Sequence, residues 1–163
     1  MLKKNGELED PRPVNSNRFG LVYDQFRGKI KEAFDFLIKN QGGYLLGVFH
    51  RADIGDIDLT WGAAPTRYSG YGLFHIIHKH IDTMGDFESL DDAEGIISNV
   101  IADGILRHAN NDNDLIYLEK DNYRVVIAQT DGHKWILSAF DYVKSKKEKE
   151  EERKEKRKTL PPS

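Results

Sequence analysis

Four basic side chains crowd one short stretch, His75, His78, Lys79 and His80 within Gly-Tyr-Gly-Leu-Phe-His-Ile-Ile-His-Lys-His, residues 70–80. Imidazoles titrate near neutrality and can give or take a proton, and an ammonium beside them can hold an anion. Leu73, Ile76, Ile77 and His80 recur at i, i+3, i+4 and i+7, the spacing of a helix's apolar stripe. His80 therefore stands where an aliphatic residue belongs. His75 and Lys79 lie one turn apart on another face, open to solvent or a ligand. Three readings are open. His75 and His78 can share a metal ion if a third ligand joins them, although the intervening Glu of the zincin pattern is missing. His80 can be a buried ring bonded to backbone. Or the histidines do acid/base work between a helix and a sheet.

The third reading has a definite chemistry. Metal-free cleavage of RNA needs a base for the 2′-hydroxyl, an acid for the leaving 5′-oxygen and a cation for the charge that grows on phosphorus. Arg124, in Tyr-Arg-Val-Val-Ile-Ala, and Ser138, in Lys-Trp-Ile-Leu-Ser-Ala-Phe, are plausible phosphate contacts on strands. Arg51 is a further cation beside the central strand. Against these stand plain alternatives: a surface ion pair for Arg124 and an ordinary strand hydroxyl for Ser138. Trp61 and Trp135 each continue an apolar alternation and read as core.

The elements that must position these groups are legible in outline. Ile57, Leu59 and Trp61 alternate with Asp56, Asp58 and Thr60, which predicts a half-buried strand with its carboxylates on an accessible face. Asp58 on that face, with Arg51, is a candidate substrate contact. Apolar positions from Tyr23 through Phe26, Ile30, Ala33, Phe34, Leu37 and Ile38 predict a helix that Gly42 and Gly43 stop. Tyr44 to His50 reads as a strand. Ser89, three residues before Asp92, caps a helix through Ala93, Ile97, Val100 and Ile105 that ends near Arg107 and His108. Residues 110–113 form a polar loop. Leu115 to Glu119, Tyr123 to Ala128 and Lys134 to Phe140, separated by Asp121-Asn122 and Asp131-Gly132, predict an antiparallel meander.

Composition bounds the rest. At 163 residues the chain fits one domain, and with no cysteine it has neither disulfides nor thiolate metal sites. No apolar run is long enough to span a membrane and no secretory signal is present, so a soluble, cytoplasmic protein is expected. Residues 144–158 hold nine Lys or Arg against five Glu, a surplus of four, which leaves −7 of the net −3 for the rest of the chain. The folded part is acidic, and a nucleic acid would have to be held by a local basic cluster. Residues 1–17 read as a flexible leader, 18–143 as the domain, and 144–163 as a charged tail or solvated helix, with a nucleic-acid-concentrating role as the lesser reading.

Residues 47–62, with Gly-Asp-Ile-Asp-Leu-Thr-Trp-Gly, then Gly72-Leu73 through Ile76-Ile77 to Lys79-His80, then Trp135-Ile136-Leu137-Ser138, resemble the phage-associated nuclease domains of the barnase/EndoU/colicin/RelE-like group. The resemblance covers roughly residues 19–141 and includes Phe19-Gly20 at its start. It implies an α+β domain with N-terminal helices packed on one face of a small antiparallel sheet, and a groove between helix and sheet. It marks His75, Lys79 and His80 as catalytic candidates and matches Ser138 to a Ser or Thr position of the last strand. The expected activity is that of a phage- or toxin-type endoribonuclease, using no metal or cofactor, cleaving RNA such as tRNA or rRNA by 2′-hydroxyl transesterification, and countered by a cognate inhibitor protein. The alternative is a non-catalytic phage structural or protein-binding module using the same groove.

Overall fold

The computed structural model describes residues 11–66, 69–108 and 114–159. Strands β1 (Asn15–Asn17) and β2 (Gly20–Tyr23) pair antiparallel, so the last residues of the expected leader form a sheet edge. Helix α1 (Ile30–Asn40) follows, then β3 (Tyr44–Arg51) and β4 (Gly55–Thr60), an antiparallel pair. A small separate hairpin, β5 (Ala63–Thr66) and β6 (Ser69–Tyr71), leads into the short helix α2 (Gly72–His75), which widens into a π-helical segment, Ile76–Thr83. Then come α3 (Leu90–Asp103), β7 (Ile105–His108), β8 (Leu115–Lys120), β9 (Tyr123–Thr130), β10 (His133–Asp141) and α4 (Tyr142–Thr159).

Two helices depart from the expected bounds. The first begins at Ile30, because Tyr23 is taken by β2 in parallel pairing with Leu45 and Gly28, at φ +72°, turns the chain back toward Val48. It closes just ahead of the expected Gly42-Gly43 stop, at Gln41, which adopts the left-handed conformation and whose N–H donates to the Leu37 carbonyl. Helix α3 starts as predicted, with Ser89 Oγ accepting from the Asp92 N–H at 3.1 Å. It stops at Asp103, however, and the residues expected to finish it form β7 against β8.

The sheet is larger and more mixed than the expected small antiparallel one. Its eight strands among the described residues run β1-β2-β3-β4-β10-β9-β8-β7. The β2–β3 and β4–β10 junctions are parallel, and the second is made at Trp135 against Asp58. The meander β8-β9-β10 is antiparallel as predicted. Asp131 and Gly132 both have positive φ, the requirement of a tight hairpin turn whose twist matches the strands. Nor are the helices N-terminal: β1 and β2 precede the first of them, and the others lie between and after the strands.

One face of the sheet carries the main core. Ala33, Phe34 and Leu37 of α1 and Ala93, Ile97, Val100 and Ile101 of α3 pack with Leu45, Ile57, Leu59, Leu118, Ile127 and Ile136. Truncating one of these aliphatic side chains to Ala costs about 2–5 kcal/mol. A second cluster forms elsewhere around Tyr44, Val22, Ala128 and Trp135, with Phe19, Tyr71 and Leu137 against it. Asp58 is consequently buried, although a carboxylate on an accessible face was expected; Asp56, two residues earlier, is exposed as foreseen. No helix among the described residues is long and apolar enough to cross a membrane.

Candidate active site

The path into the site is set by backbone. Gly72 opens α2 at φ +80°, with the carbonyls of Thr60 and Trp61 so close that a Cβ would collide with them. Phe74 N–H then donates to the Trp61 carbonyl at 2.8 Å, tying α2 to the end of β4. From Ile76 the helix widens, and Met84 N–H closes the segment on the Lys79 carbonyl five residues back. On an α-helix, residues five apart point roughly 140° away from each other. The wider turn brings His75 and His80 together instead, with ring centroids 5.3 Å apart. Both rings are buried, at 6% and 5% exposure.

Ser138 joins them. Its Oγ lies 3.2 Å from His75 Nε2 and 3.4 Å from His80 Nε2. A bulge in β10, between Ile136 and Ser138, aims the hydroxyl at the two rings. On the far side of His80, Nδ1 donates to Asp86 Oδ2 at 2.6 Å. An ionised carboxylate only accepts, so this bond puts a proton on Nδ1 and leaves Nε2 facing Ser138. The loop carrying Asp86 is folded back by Phe87 N–H donating to the His80 carbonyl.

His75 is in a different state. Burial, and then the nearby charges of His80 and Lys79, push its pKa down to about 4, which keeps the ring neutral near pH 7. Its Nδ1 is enclosed without a well-formed hydrogen bond, although the Ser69 backbone pulls weakly in favour of the protonated form. One ring is thus a neutral acceptor while the other is clamped by a carboxylate, the kind of division that separates a base from an acid.

Arg124 completes the cationic lining. Its guanidinium sits between the rings of Tyr117, 4.2 Å away, and Tyr142, 3.9 Å away, while Nε and Nη2 both donate to Glu119 Oε1. His75, Lys79, His80, Arg124 and Ser138 all line one cleft of about 370 Å³. The five residues proposed from sequence for catalysis therefore converge.

The other two do not. Arg51 donates to the carbonyls of Ile101 and Gly104 and pairs with Asp53, so its donors cap the C-terminus of α3. Asp58 accepts from the Tyr44 hydroxyl and the Gly47 N–H, both at 2.7 Å, beneath the aromatic cluster. That arrangement, burial first and the Asp58 bond second, raises the Tyr44 pKa and keeps its hydroxyl protonated. His78 packs on Phe74 and not with His75, and among the described residues no three His, Asp or Glu side chains are grouped to hold a metal ion.

Sequence reasoning missed Asp86 and the contribution of α4. Lys144 Nζ contacts the Met84 carbonyl and lies 3.7 Å from Asp86 Oδ1, while Tyr142, Ser145 and Lys146 join the cleft wall. Of the two readings of the charged run, a tail or a solvated helix, the helix is the one that forms, and its first turn packs against the site where no docking was expected. Tyr142 and Val143, just ahead of the run, were the apolar signals available.

A mixed α/β domain whose cleft sets paired imidazoles among cations is suited to phosphodiesters. The chain belongs to the phage-Barnase-EndoU-ColicinE5/D-RelE like nuclease family, whose profile matches residues 48–148, more than half of the sequence and every cleft residue named above. It is a phage-associated nuclease domain by family, and the family implies nucleic acid as substrate. No curated protein and no solved structure matches the chain.

Proposed function

We propose that the protein is an endoribonuclease that cleaves RNA by transesterification. The observation that carries this reading is the hydroxyl of Ser138 held between His75 Nε2 and His80 Nε2, with Asp86 behind His80. The two Nε2 atoms converge on one point, close enough for one ring to reach the attacking 2′-oxygen while the other reaches the leaving 5′-oxygen of the same phosphodiester. Neutral His75 takes the proton of the 2′-hydroxyl, O2′ attacks phosphorus, and a P–O2′ bond forms as the P–O5′ bond breaks. His80, protonated on Nε2, gives its proton to the departing O5′. The products are a 2′,3′-cyclic phosphate and a free 5′-hydroxyl, with no water consumed in the step. Lys79 and Arg124 offset the charge on the phosphoryl oxygens, and Ser138 donates a supporting hydrogen bond.

The drawn route uses no metal, so cleavage should survive chelator. Incubation of tRNA and rRNA with wild type and His80→Ala in chelator tests it. Cyclic-phosphate ends from wild type alone are expected, and a single 2′-deoxy substitution at the cleaved position should stop the reaction. Intact RNA from both proteins would remove the enzyme reading. The acidic balance of the domain outside α4 would then favour a protein-binding module using the same cleft. Host toxicity relieved by a cognate inhibitor protein is expected of the nuclease and not of the module.

A further inference from the structure

A second cleft, of about 440 Å³, is lined by Arg18, Phe19, Gly70, Tyr71, Trp135 and Leu137. Three aromatic rings meet there: Phe19 lies 5.8 Å from Tyr71 and 4.9 Å from Trp135, and Tyr71 lies 5.7 Å from Trp135. The exposed Arg18 guanidinium stands 5.5 Å over the Phe19 ring, loosely paired to Asp131 at 3.7 Å. Nothing in the cleavage chemistry uses this cluster.

Its position relative to the catalytic cleft follows from strand register. Directly paired residues of antiparallel strands share a face. Across β9 and β10 the pairs are Phe140 with Arg124, Ser138 with Val126, and Trp135 with Ala128, two residues of β9 apart each time. Arg124, Val126 and Ala128 lie on one face, so Phe140, Ser138 and Trp135 do too, and the bulge keeps Trp135 there despite its odd spacing. One such step is about 7 Å. The aromatic cleft is thus the next position along the same face from Ser138. Tyr71 reaches it from the other side, four residues before His75.

The geometry points to a nucleobase-stacking subsite: the Arg18–Phe19–Tyr71–Trp135 cleft takes the base adjacent to the scissile phosphate. This rests on the ribonuclease reading for the identity of the strand. A base is planar and aromatic, stacks on rings of any of these types, and carries a phosphate that an arginine at the rim can meet; such stacking is sequence-tolerant.

Fluorescence tests it, since the chain has two tryptophans and Trp61→Phe leaves Trp135 as the reporter on the cleft floor. The probe is a 2′-O-methyl RNA tetranucleotide, which cannot be cleaved through O2′. Saturable quenching of Trp135 is expected, with the dissociation constant raised about tenfold in Tyr71→Leu. An oligonucleotide with one abasic position should bind Tyr71→Leu and the parent equally. Arg18→Ala, a surface change that leaves the rings in place, should weaken binding and reduce its salt dependence. Flat Trp135 fluorescence, or unchanged affinity in folded Tyr71→Leu and Arg18→Ala, overturns the subsite. Quenching without cleavage by the active-site residues retains the subsite and removes the nuclease reading, whereas cleavage with flat fluorescence does the reverse.

Discussion

His80 Nδ1 and Asp86 Oδ2 stand 2.6 Å apart with both side chains buried. The carboxylate selects the tautomer and offsets the charge of a doubly protonated ring, so Asp86 is a positioning residue for an imidazole that otherwise has two ways to hold its proton. Asp86→Asn should lower kcat on the order of 10²-fold with KM little changed, the scale of a misplaced acid or base. Side-chain ¹⁵N NMR of His80 checks the cause: among neutral rings the Nδ1–H form should dominate in wild type, leaving Nε2 as the atom that takes and gives the catalytic proton, and the neutral tautomers should become mixed in the variant. An unaltered tautomer with reduced activity would make Asp86 merely structural.

The neutral state of His75 gives a pH signature. With its pKa held down to about 4, the acid limb of kcat/KM should fall near pH 4 and not near 6.5. The same shift affects stability. The unfolded chain binds more protons between these values, so this ring's contribution is complete above about pH 6.5 and is lost as pH drops toward 4. Denaturation at pH 7.5 and 4.5 should show a larger loss for wild type than for His75→Gln.

Lys144 links α4 to the site through Met84 and Asp86. Lys144→Ala should reduce kcat severalfold by loosening the Asp86 loop, and Lys144→Glu should reduce it further by setting a second negative charge against Asp86. Equal effects of the two changes would show that charge at this position is irrelevant. Steady-state kinetics with circular dichroism to confirm folding decides the order.

Asp58 offers the contrasting case. Asp58→Ala strands the Tyr44 hydroxyl and the Gly47 N–H in a buried setting, a loss on the order of 3 kcal/mol. Chemical denaturation should show it, while kcat well below the melting temperature stays near wild type because Asp58 does not line the catalytic cleft.

Much of the scaffold was readable from neighbours a few residues apart. The alternation of β4, the β-rich runs of β3 and the β8-β9-β10 meander, the Ser89 cap and the Asp131-Gly132 turn are local signals, and each formed near its predicted place. Helix ends were less legible: Tyr23 and Ile105 fit a helical stripe yet were claimed by strand partners, because pairing with β3 and β8 outweighed a weak local preference. Expectations for residues 110–113 lie outside the described residues.

From sequence alone came the histidine that interrupts an apolar stripe, together with Lys79, Arg124 and Ser138 as its companions, since residue type and periodicity are properties of the chain itself. Only the folded structure decided that His75 and His80 face each other, that Asp86 stands behind one ring, and that Arg51 and Asp58 serve the scaffold. A π-turn, a strand bulge and a hydroxyl 58 residues from His80 made those choices. Such contacts depend on distances between segments remote in the chain, and burial, which sets the protonation state of His75, exists only once those segments have packed.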